Sequence, residues 1–322
     1  MMYAYALGGF VLLFGGGEWL VRGAIIVARR FNLSPLLIGM TVVAFCTSAP
    51  ELVVSIGAAL DGQSEIAIGN VVGSNIFNIL GVLGISALIA PVAVKPCELR
   101  RDTTVLIGST VLIVALSQFG VLTRPMGAVL FAGIIAYVWL SYRSELKNPQ
   151  LPSAHLHAEE AEEVIEVERP KSVWIGVALL VGGLAALVIG SRLLISGATD
   201  IALTFGVPQA VIGLTLVAIG TSLPELATSV IAAVRRHSDV AVGNVVGSGI
   251  FNLLAILGMT ALVKPIGVAD RIAHVDVWVM LAVTLALAPF LLIRGRIGRV
   301  AGGVAVGLYI VYAGLLLAGG AV

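Results

Sequence analysis

The chain contains few charged residues. Asp, Glu, Lys and Arg make up only 11% of its 322 residues, whereas soluble proteins contain about 25%. Apolar residues make up 59%, and the mean hydropathy is +1.07. A surface made from so little charge is typical of lipid-facing proteins, so we expect an integral membrane protein. The net charge of +1 also lacks the basic excess that nucleic-acid binding requires.

Cysteine and histidine are also scarce. The two cysteines, Cys46 and Cys97, do not indicate a disulfide framework. The histidines lie in predicted loops or at the edge of a span: His155, His157, His237 and His274. No nucleophile therefore has a nearby histidine base, and we expect neither an enzyme nor a resident cofactor. The apolar N-terminus lacks the basic region of a signal peptide and is predicted to begin the first membrane helix.

Long apolar runs predict the fold class. Ten runs are long enough to cross a bilayer, at about 20 residues each. They lie near 5–28, 35–59, 66–90, 103–121, 125–142, 173–198, 207–233, 240–263, 274–293 and 300–320. The polar segment 143–172 separates the first five from the last five. Its six glutamates between Glu159 and Glu168 lack the ligand spacing of a Ca2+-binding loop, so we interpret it as a solvated linker.

Basic residues predict the orientation. With the N-terminus outside, fourteen Lys and Arg residues fall in inside loops and three in outside loops. Because basic residues concentrate on the cytoplasmic side, we expect a plasma membrane protein with both termini outside and the acidic linker in the cytoplasm. Within the spans, Glu18 and Arg22 are predicted to pair, and Arg192 to reach the interface or another span. Asp276, at a span end, is expected to be solvated.

The sequence repeats itself at a distance of 174 residues. From Ile38 to Pro91, 30 of 54 positions are identical to their partners at plus 174. An odd number of spans per copy makes the second copy enter the membrane from the opposite side. We therefore predict an all-α membrane protein of ten transmembrane helices in two inverted five-helix repeats, 1–142 and 173–322. Secondary transporters commonly have this architecture, with the substrate site near the midplane.

Two duplicated segments place a glutamate after a proline in mid-span. Ala44–Glu51 reads A-F-C-T-S-A-P-E, and Ala218–Glu225 reads A-I-G-T-S-L-P-E. A carboxylate at this depth is costly unless it is paired or solvated, so it is a functional candidate. Pro50 and Pro224 each break the helix and free carbonyls in the preceding turn, which need a partner other than lipid.

Ca2+ binds carbonyl, hydroxyl and carboxylate oxygens alike, and three such residues line each broken turn. They are Thr47, Ser48 and Glu51 in the first copy and Thr221, Ser222 and Glu225 in the second. The alternative is a proline kink whose hydroxyls bond back to the backbone. Because both copies also carry a buried glutamate, we favour a cation site.

A second duplicated motif, G-N-V-V-G-S, occupies Gly69–Ser74 and Gly243–Ser248. Its glycines permit close helix packing. The serine that ends each motif and the asparagine four residues later share one helical face. We predict that these side chains line the same site: Ser74, Asn78, Ser248 and Asn252.

These motifs together resemble the alpha-repeats of the cation/Ca2+ exchanger superfamily, in particular the prokaryotic Na+/Ca2+ exchangers. The resemblance covers nearly the whole chain and implies a secondary antiporter that exchanges Ca2+ for Na+, as a monomer in the inner membrane of a prokaryote. It implies that Glu51 and Glu225 are the central carboxylates, and that the carbonyls of Ala44 and Ala218 face flanking Na+ sites. The implied hydroxyl ligands are Thr47, Thr221, Ser48, Ser222, Ser74 and Ser248.

The chain departs from the family pattern in three respects. Cys46 replaces a glycine, Gly249 replaces the asparagine present at Asn75, and both Asn78 and Asn252 stand where several exchangers carry an aspartate in one repeat. Two carboxylates neutralise one Ca2+ but leave the number of Na+ ions open. The remaining alternatives are an H+/Ca2+ antiporter, transport of other divalent cations and, less well supported by inverted repeats, a cation channel.

Overall fold

The computed structural model describes residues 2–30, 47–93, 96–147, 172–234 and 238–319, which are almost entirely helical. The α-helices are α1 Met2–Arg30, α2 Ala49–Leu60, α3 Ser64–Phe77, α4 Leu83–Ile89, α5 Pro96–Ser117, α6 Arg124–Lys147, α7 Val173–Phe205, α8 Gln209–Ile212, α9 Ala218–Thr221, α10 Leu223–Val234, α11 Ser238–Ile250, α12 Leu257–Val263, α13 Val277–Pro289 and α14 Arg299–Gly319. The π-helical turns are π1 Asn78–Val82, π2 Gly213–Val217, π3 Phe251–Ile256, π4 Ile272–Asp276 and π5 Phe290–Arg294. The strands are β1 Val92–Ala93, β2 Val121–Leu122, β3 Ile266–Gly267 and β4 Arg296–Ile297.

Within the described ranges, seven helical segments are long and apolar enough to cross a membrane. They are Met2–Ala24, Ser64–Ile89, Arg124–Arg143, Val173–Phe205, Ala241–Val263, Ile272–Ile293 and Arg299–Ala318. The pair Gln209–Thr221 and Leu223–Val234, bent by 45°, forms an eighth. The prediction of a multi-span helical membrane protein is confirmed.

Of the other two predicted spans, one differs from the expectation and one lies partly outside the described residues. The predicted span 103–121 lies on α5, which begins earlier, at Pro96, and carries Arg100, Arg101 and Asp102 in its first turns. Because of these three charged residues, α5 is not among the segments that are apolar enough to cross a membrane. Of the predicted span 35–59, residues 35–46 lie outside the described residues, as do 148–171 of the predicted linker. The described remainder of that span includes the helix α2.

The two helices that carry the G-N-V-V-G-S motifs lie at the centre of the protein. In the most apolar part of Ser64–Ile89 and of Ala241–Val263, 83% of the residues are buried inside the protein. The corresponding share is 17% to 39% in the other five long segments. Any site built on these two helices is therefore shielded from lipid.

Equivalent contacts recur in the two halves. The terminal helix α6 packs on α12 of the other half, and α14 packs on α4. The Arg124 guanidinium donates to the Val263 carbonyl at 3.4 Å, and Arg299 donates to Ile89 at 3.2 Å. The short strands follow the same rule, because β1 pairs with β4 and β2 pairs with β3. Helix α6 thus covers the C-terminal end of α12, and α14 covers the C-terminal end of α4, each across the two halves.

Helices α1 and α7 pack along most of their length. Their glycines face each other in antiparallel pairs seven residues apart: Gly9 with Gly190, Gly16 with Gly183 and Gly23 with Gly176. A Cβ atom placed on Gly16 would lie 2.8 Å from the Ala186 Cβ and 2.9 Å from the Gly183 carbonyl oxygen. Only glycine allows the two backbones to approach this closely.

We predict that Gly16→Leu lowers the thermal unfolding midpoint by about 5 °C or more, because the overpacked side chain forces α1 and α7 apart. Gly15→Leu is the matched control, since a Cβ atom on Gly15 meets nothing within 4 Å. Thermal unfolding in detergent, followed by size-exclusion chromatography, measures both. Equal midpoints for the two variants would contradict the assigned interface.

Candidate functional site

The proline motif of the second half breaks its helix as predicted, and the first half has the same turn conformation at Ser48. In the second half, α9 ends at Thr221 and α10 begins at Leu223, with Ser222 between them at φ −88° and ψ 12°. In the first half, Ser48 takes nearly the same conformation, φ −86° and ψ 8°, immediately before α2. Each break therefore places the glutamate in the first turn of a new helix, directed into the centre of the protein.

The two predicted glutamates are fully buried. Glu51 and Glu225 both have 0% exposure. The Ser222 hydroxyl donates to Glu51 Oε1 at 3.0 Å. Among the described residues, Glu51 Oε2 and both Glu225 carboxylate oxygens have no hydrogen-bond partner. Buried charge without a partner is strongly destabilising, so this arrangement is suited to a bound cation.

Asn78 and Asn252 lie at the start of the π turns π1 and π3. Both are buried, with exposures of 1% and 0%. The Asn78 amide donates to the Ser248 hydroxyl at 3.2 Å, which brings predicted residues of the two halves together. Asn78 Oδ1 and both amide atoms of Asn252 have no partner in the described part of the chain. Since π turns often mark functional sites, their duplication here supports a ligand-binding role.

Asn70 connects the two proline motifs, although the sequence analysis did not include it among the site residues. Its amide nitrogen donates to the Glu51 carbonyl at 3.3 Å and to the Ser55 hydroxyl at 3.0 Å. Its Oδ1 accepts the Thr221 hydroxyl at 3.0 Å. The identity of Asn70 and Asn244 across the repeat was the available signal.

Asn244 repeats the first part of this network in the second half. Its amide nitrogen donates to the Glu225 carbonyl at 3.2 Å and to the Ser229 hydroxyl at 2.9 Å. Ser55 and Ser229 are also 174 residues apart. Each asparagine therefore supports the turn that carries the glutamate of its own half.

The remaining predicted ligands are the carbonyls of Ala218 and Ala44 and the hydroxyls of Thr47 and Ser48. The Ala218 carbonyl accepts the Ser74 hydroxyl at 3.4 Å and the Thr221 hydroxyl at 3.3 Å, so it is engaged by protein donors. Thr47 and Ser48 are buried, with exposures of 8% and 2%. Ala44 lies outside the described residues.

Oxygen atoms dominate the polar groups that lack a partner at this site. They belong to side chains of both halves: Ser48 Oγ, Glu51 Oε2, Asn78 Oδ1, Glu225 Oε1, Glu225 Oε2 and Asn252 Oδ1. Within the described ranges, no group of three or more His, Cys, Asp or Glu residues could hold a metal ion. The donor set is therefore two carboxylates with neutral amide and hydroxyl oxygens, which suits hard cations such as Ca2+ and Na+.

Two buried aspartates lie outside the site and have their own partners. Asp276 is fully buried, accepts the Tyr312 hydroxyl at 2.9 Å and lies 3.6 Å from Arg271. The expectation that Asp276 is solvated at the interface was therefore wrong, because Tyr312 and Arg271 enclose it. The equivalent Asp102 accepts the Tyr137 hydroxyl at 3.0 Å.

Asp102 also forms an ion pair with Arg101 at 2.8 Å. On α1, Glu18 and Arg22 form the predicted ion pair, one helical turn apart. Among the buried carboxylates of the described residues, only Glu51 and Glu225 are without a basic partner.

Known proteins match this chain over nearly its full length. It is 41% identical to the putative antiporter CaxA of Alkalimonas amylolytica, over 92% of this chain and 91% of the relative. It is 32% identical to the sodium/calcium exchanger MaX1 of Methanosarcina acetivorans, over 94% and 95%. It is also 36% identical to the inner membrane protein YrbG of Escherichia coli K12, over 87% and 85%.

A solved structure shares the fold. The sodium-calcium exchanger NCX_Mj, soaked with Na+ and Sr2+, superposes with a TM-score of 0.64 at 34% identity, covering 96% of both chains. The family model described as sodium/calcium exchanger protein matches residues 1–143 and 175–318. With its duplicated proline-glutamate motifs and paired buried carboxylates, the chain belongs to the sodium/calcium exchanger family of membrane cation transporters.

Proposed function

We propose that this protein exchanges Ca2+ for Na+ across the membrane, with both ions bound in turn between Glu51 and Glu225. The observation that carries the proposal is the pair of fully buried carboxylates with three unpartnered oxygens. One Ca2+ matches their combined charge, and amide and hydroxyl oxygens complete the coordination that Ca2+ prefers. The predicted ligands are Glu51, Glu225, Thr47, Thr221, Ser48, Ser222, Ser74, Ser248, Asn78, Asn252 and the carbonyls of Ala44 and Ala218.

We further propose that transport proceeds by alternating access between two inverted five-helix repeats, 1–142 and 173–322. The contacts that recur between the halves support this symmetry, including Arg124 on Val263 and Arg299 on Ile89. The positive-inside distribution supports both termini outside, and the similarity to the inner membrane protein YrbG supports a prokaryotic inner membrane location. Inverted repeats allow one unit to rock against the other around a central site.

The driving ion follows from the neutral oxygens around the carboxylates. Na+ prefers hydroxyl and carbonyl oxygens, which this site supplies in both halves, whereas a proton requires only a carboxylate. We predict that Na+-loaded proteoliposomes accumulate 45Ca2+ when the pH is equal on both sides. Uptake driven only by a pH gradient would replace the Na+ proposal with an H+/Ca2+ antiporter, and no uptake under either gradient would contradict Ca2+ antiport.

The charge of each glutamate is required for Ca2+ binding. We predict that Glu51→Gln and Glu225→Gln each reduce Ca2+ uptake about 100-fold or more, because Ca2+ then enters a buried site with an uncompensated charge. Glu18→Gln is the matched control, since Glu18 is half-exposed and paired with Arg22. Uptake of 45Ca2+ under one Na+ gradient measures all three, and equal losses from Glu18→Gln would contradict a special role for the duplicated pair.

Asn70 is proposed to position the site. We predict that Asn70→Ala raises the KM for Ca2+ about tenfold, because it removes donors to Glu51 and Ser55 and the acceptor of Thr221. Asn75→Ala is the control, because the Asn75 amide donates within its own helix, to the Val71 carbonyl. Concentration-dependent 45Ca2+ uptake measures KM for both, and similar KM values would show that Asn70 has no positioning role.

The count of two carboxylates predicts the stoichiometry. Their charge balances one Ca2+ or two Na+, whereas a third Na+ would leave uncompensated charge in a medium where it is costly. We therefore predict a Na+ Hill coefficient of about two and weak dependence of uptake on the membrane potential.

The variant Asn252→Asp adds a third carboxylate and is predicted to strengthen Ca2+ binding. Na+-driven Ca2+ flux at clamped potential measures the native protein and this variant together. Steep voltage dependence in the native protein, with a Hill coefficient of about three, would show that this charge count does not govern transport.

A further inference from the structure

A large apolar groove lies between α4, α13 and α14, beside the central site. Its volume is about 700 Å3, and its walls include Leu83, Leu287 and Leu308. The rim at one end carries Arg296 on strand β4, between two of the membrane-crossing segments. The groove therefore combines an apolar interior with a cation at its rim.

At three positions of its lining the second half carries a smaller residue than the first half. Ala286 and Ala301 line it, where the first half carries Leu112 and Met126 at the equivalent positions, 174 and 175 residues earlier. Equivalent residues of α6 and α14 are 175 positions apart, because Arg124 and Arg299 make equivalent contacts, and so do Gly127 and Gly302.

Ala305 shows the same replacement most directly. It lines the groove, whereas its equivalent Leu130 is fully buried in the first half. The side-chain volume that Leu130 places inside the protein is thus missing in the second half.

The dimensions of the groove fit a lipid acyl chain. Val300 and Leu308, both in its lining, are eight residues apart on α14, which corresponds to about 12 Å along a helix. One leaflet contributes about 15 Å to the ~30 Å hydrocarbon core. An acyl chain can lie along the groove while its headgroup phosphate remains at the interface, beside Arg296.

We propose that the groove is a specific site for one anionic phospholipid, with its acyl chain between α4, α13 and α14 and its phosphate on Arg296. The inner wall includes Ile79 and Leu80, which belong to the same π turn as Asn78. The bound chain thus contacts the turn that carries a predicted ion ligand. The proposed binding of a phospholipid in this groove does not depend on which ions the protein transports.

Native mass spectrometry tests the site with delipidated protein, titrated separately with phosphatidylglycerol and phosphatidylcholine. One phosphatidylglycerol is expected to bind about fivefold more tightly than the next and than phosphatidylcholine. Arg296→Gln should remove this preference, while Arg143→Gln, at an exposed arginine on Trp139, should retain it.

The variants Ala301→Met and Ala305→Leu fill the groove with the residues of the first half and should abolish the first binding step for both lipids. Thermal unfolding confirms that each variant is folded, and Arg296→Gln tests the phosphate contact without altering the groove. Two results would overturn the proposal: equal affinities for successive lipids in the native protein, or unchanged binding in both Arg296→Gln and Ala305→Leu. Either would show that the protein binds only non-specific annular lipid.

Discussion

The removal of two carboxylates from water is the constraint on which this structure depends. Glu51 and Glu225 lie fully buried, and no basic side chain of the described residues neutralises them. Such an arrangement is costly in an apolar interior unless a cation is present. The proline breaks, the π turns and the buried asparagines place polar groups around the carboxylates. We propose that a bound cation completes this site, in keeping with a transporter that binds different cations in turn.

The scaffold keeps these groups in register through close contacts between the halves. Asn70 accepts the Thr221 hydroxyl and the Ser222 hydroxyl donates to Glu51, so residues of each half help to form the site of the other. Further away, α6 packs on α12 and α14 packs on α4, in each case across the two halves. We propose that a movement of one half relative to the other changes the arrangement of these oxygens, which would couple ion binding to conformation.

Much of this organisation was predictable from the sequence, because the constraints are strong. Apolar length predicts the spans, a proline predicts the breaks at Ser48 and Ser222, and duplication identifies Glu51 and Glu225. Long-range polar contacts were less accessible. In the sequence, Asn70 stood out only because Asn244 repeats it. The neighbouring residues did not indicate that its side-chain amide contacts both the Glu51 carbonyl and the Thr221 hydroxyl.

The error at Asp276 has a similar cause. Its position near the end of a predicted span indicated solvation, but burial depends on Tyr312, which lies on another helix. The π turns at Asn78 and Asn252 were not anticipated, because the hydrophobic pattern of a π turn differs little from that of an α-helix. The groove beside them required a comparison of the two halves in three dimensions.

Equilibrium binding of 45Ca2+ to the purified protein in detergent tests the central claim most directly, because it separates the ion site from transport. The account predicts a single Ca2+ per chain, displaced by Na+ and absent from the Glu51→Gln/Glu225→Gln double variant. Undiminished Ca2+ binding in that folded double variant would contradict the account, because the ion would then be held somewhere other than between the two buried carboxylates.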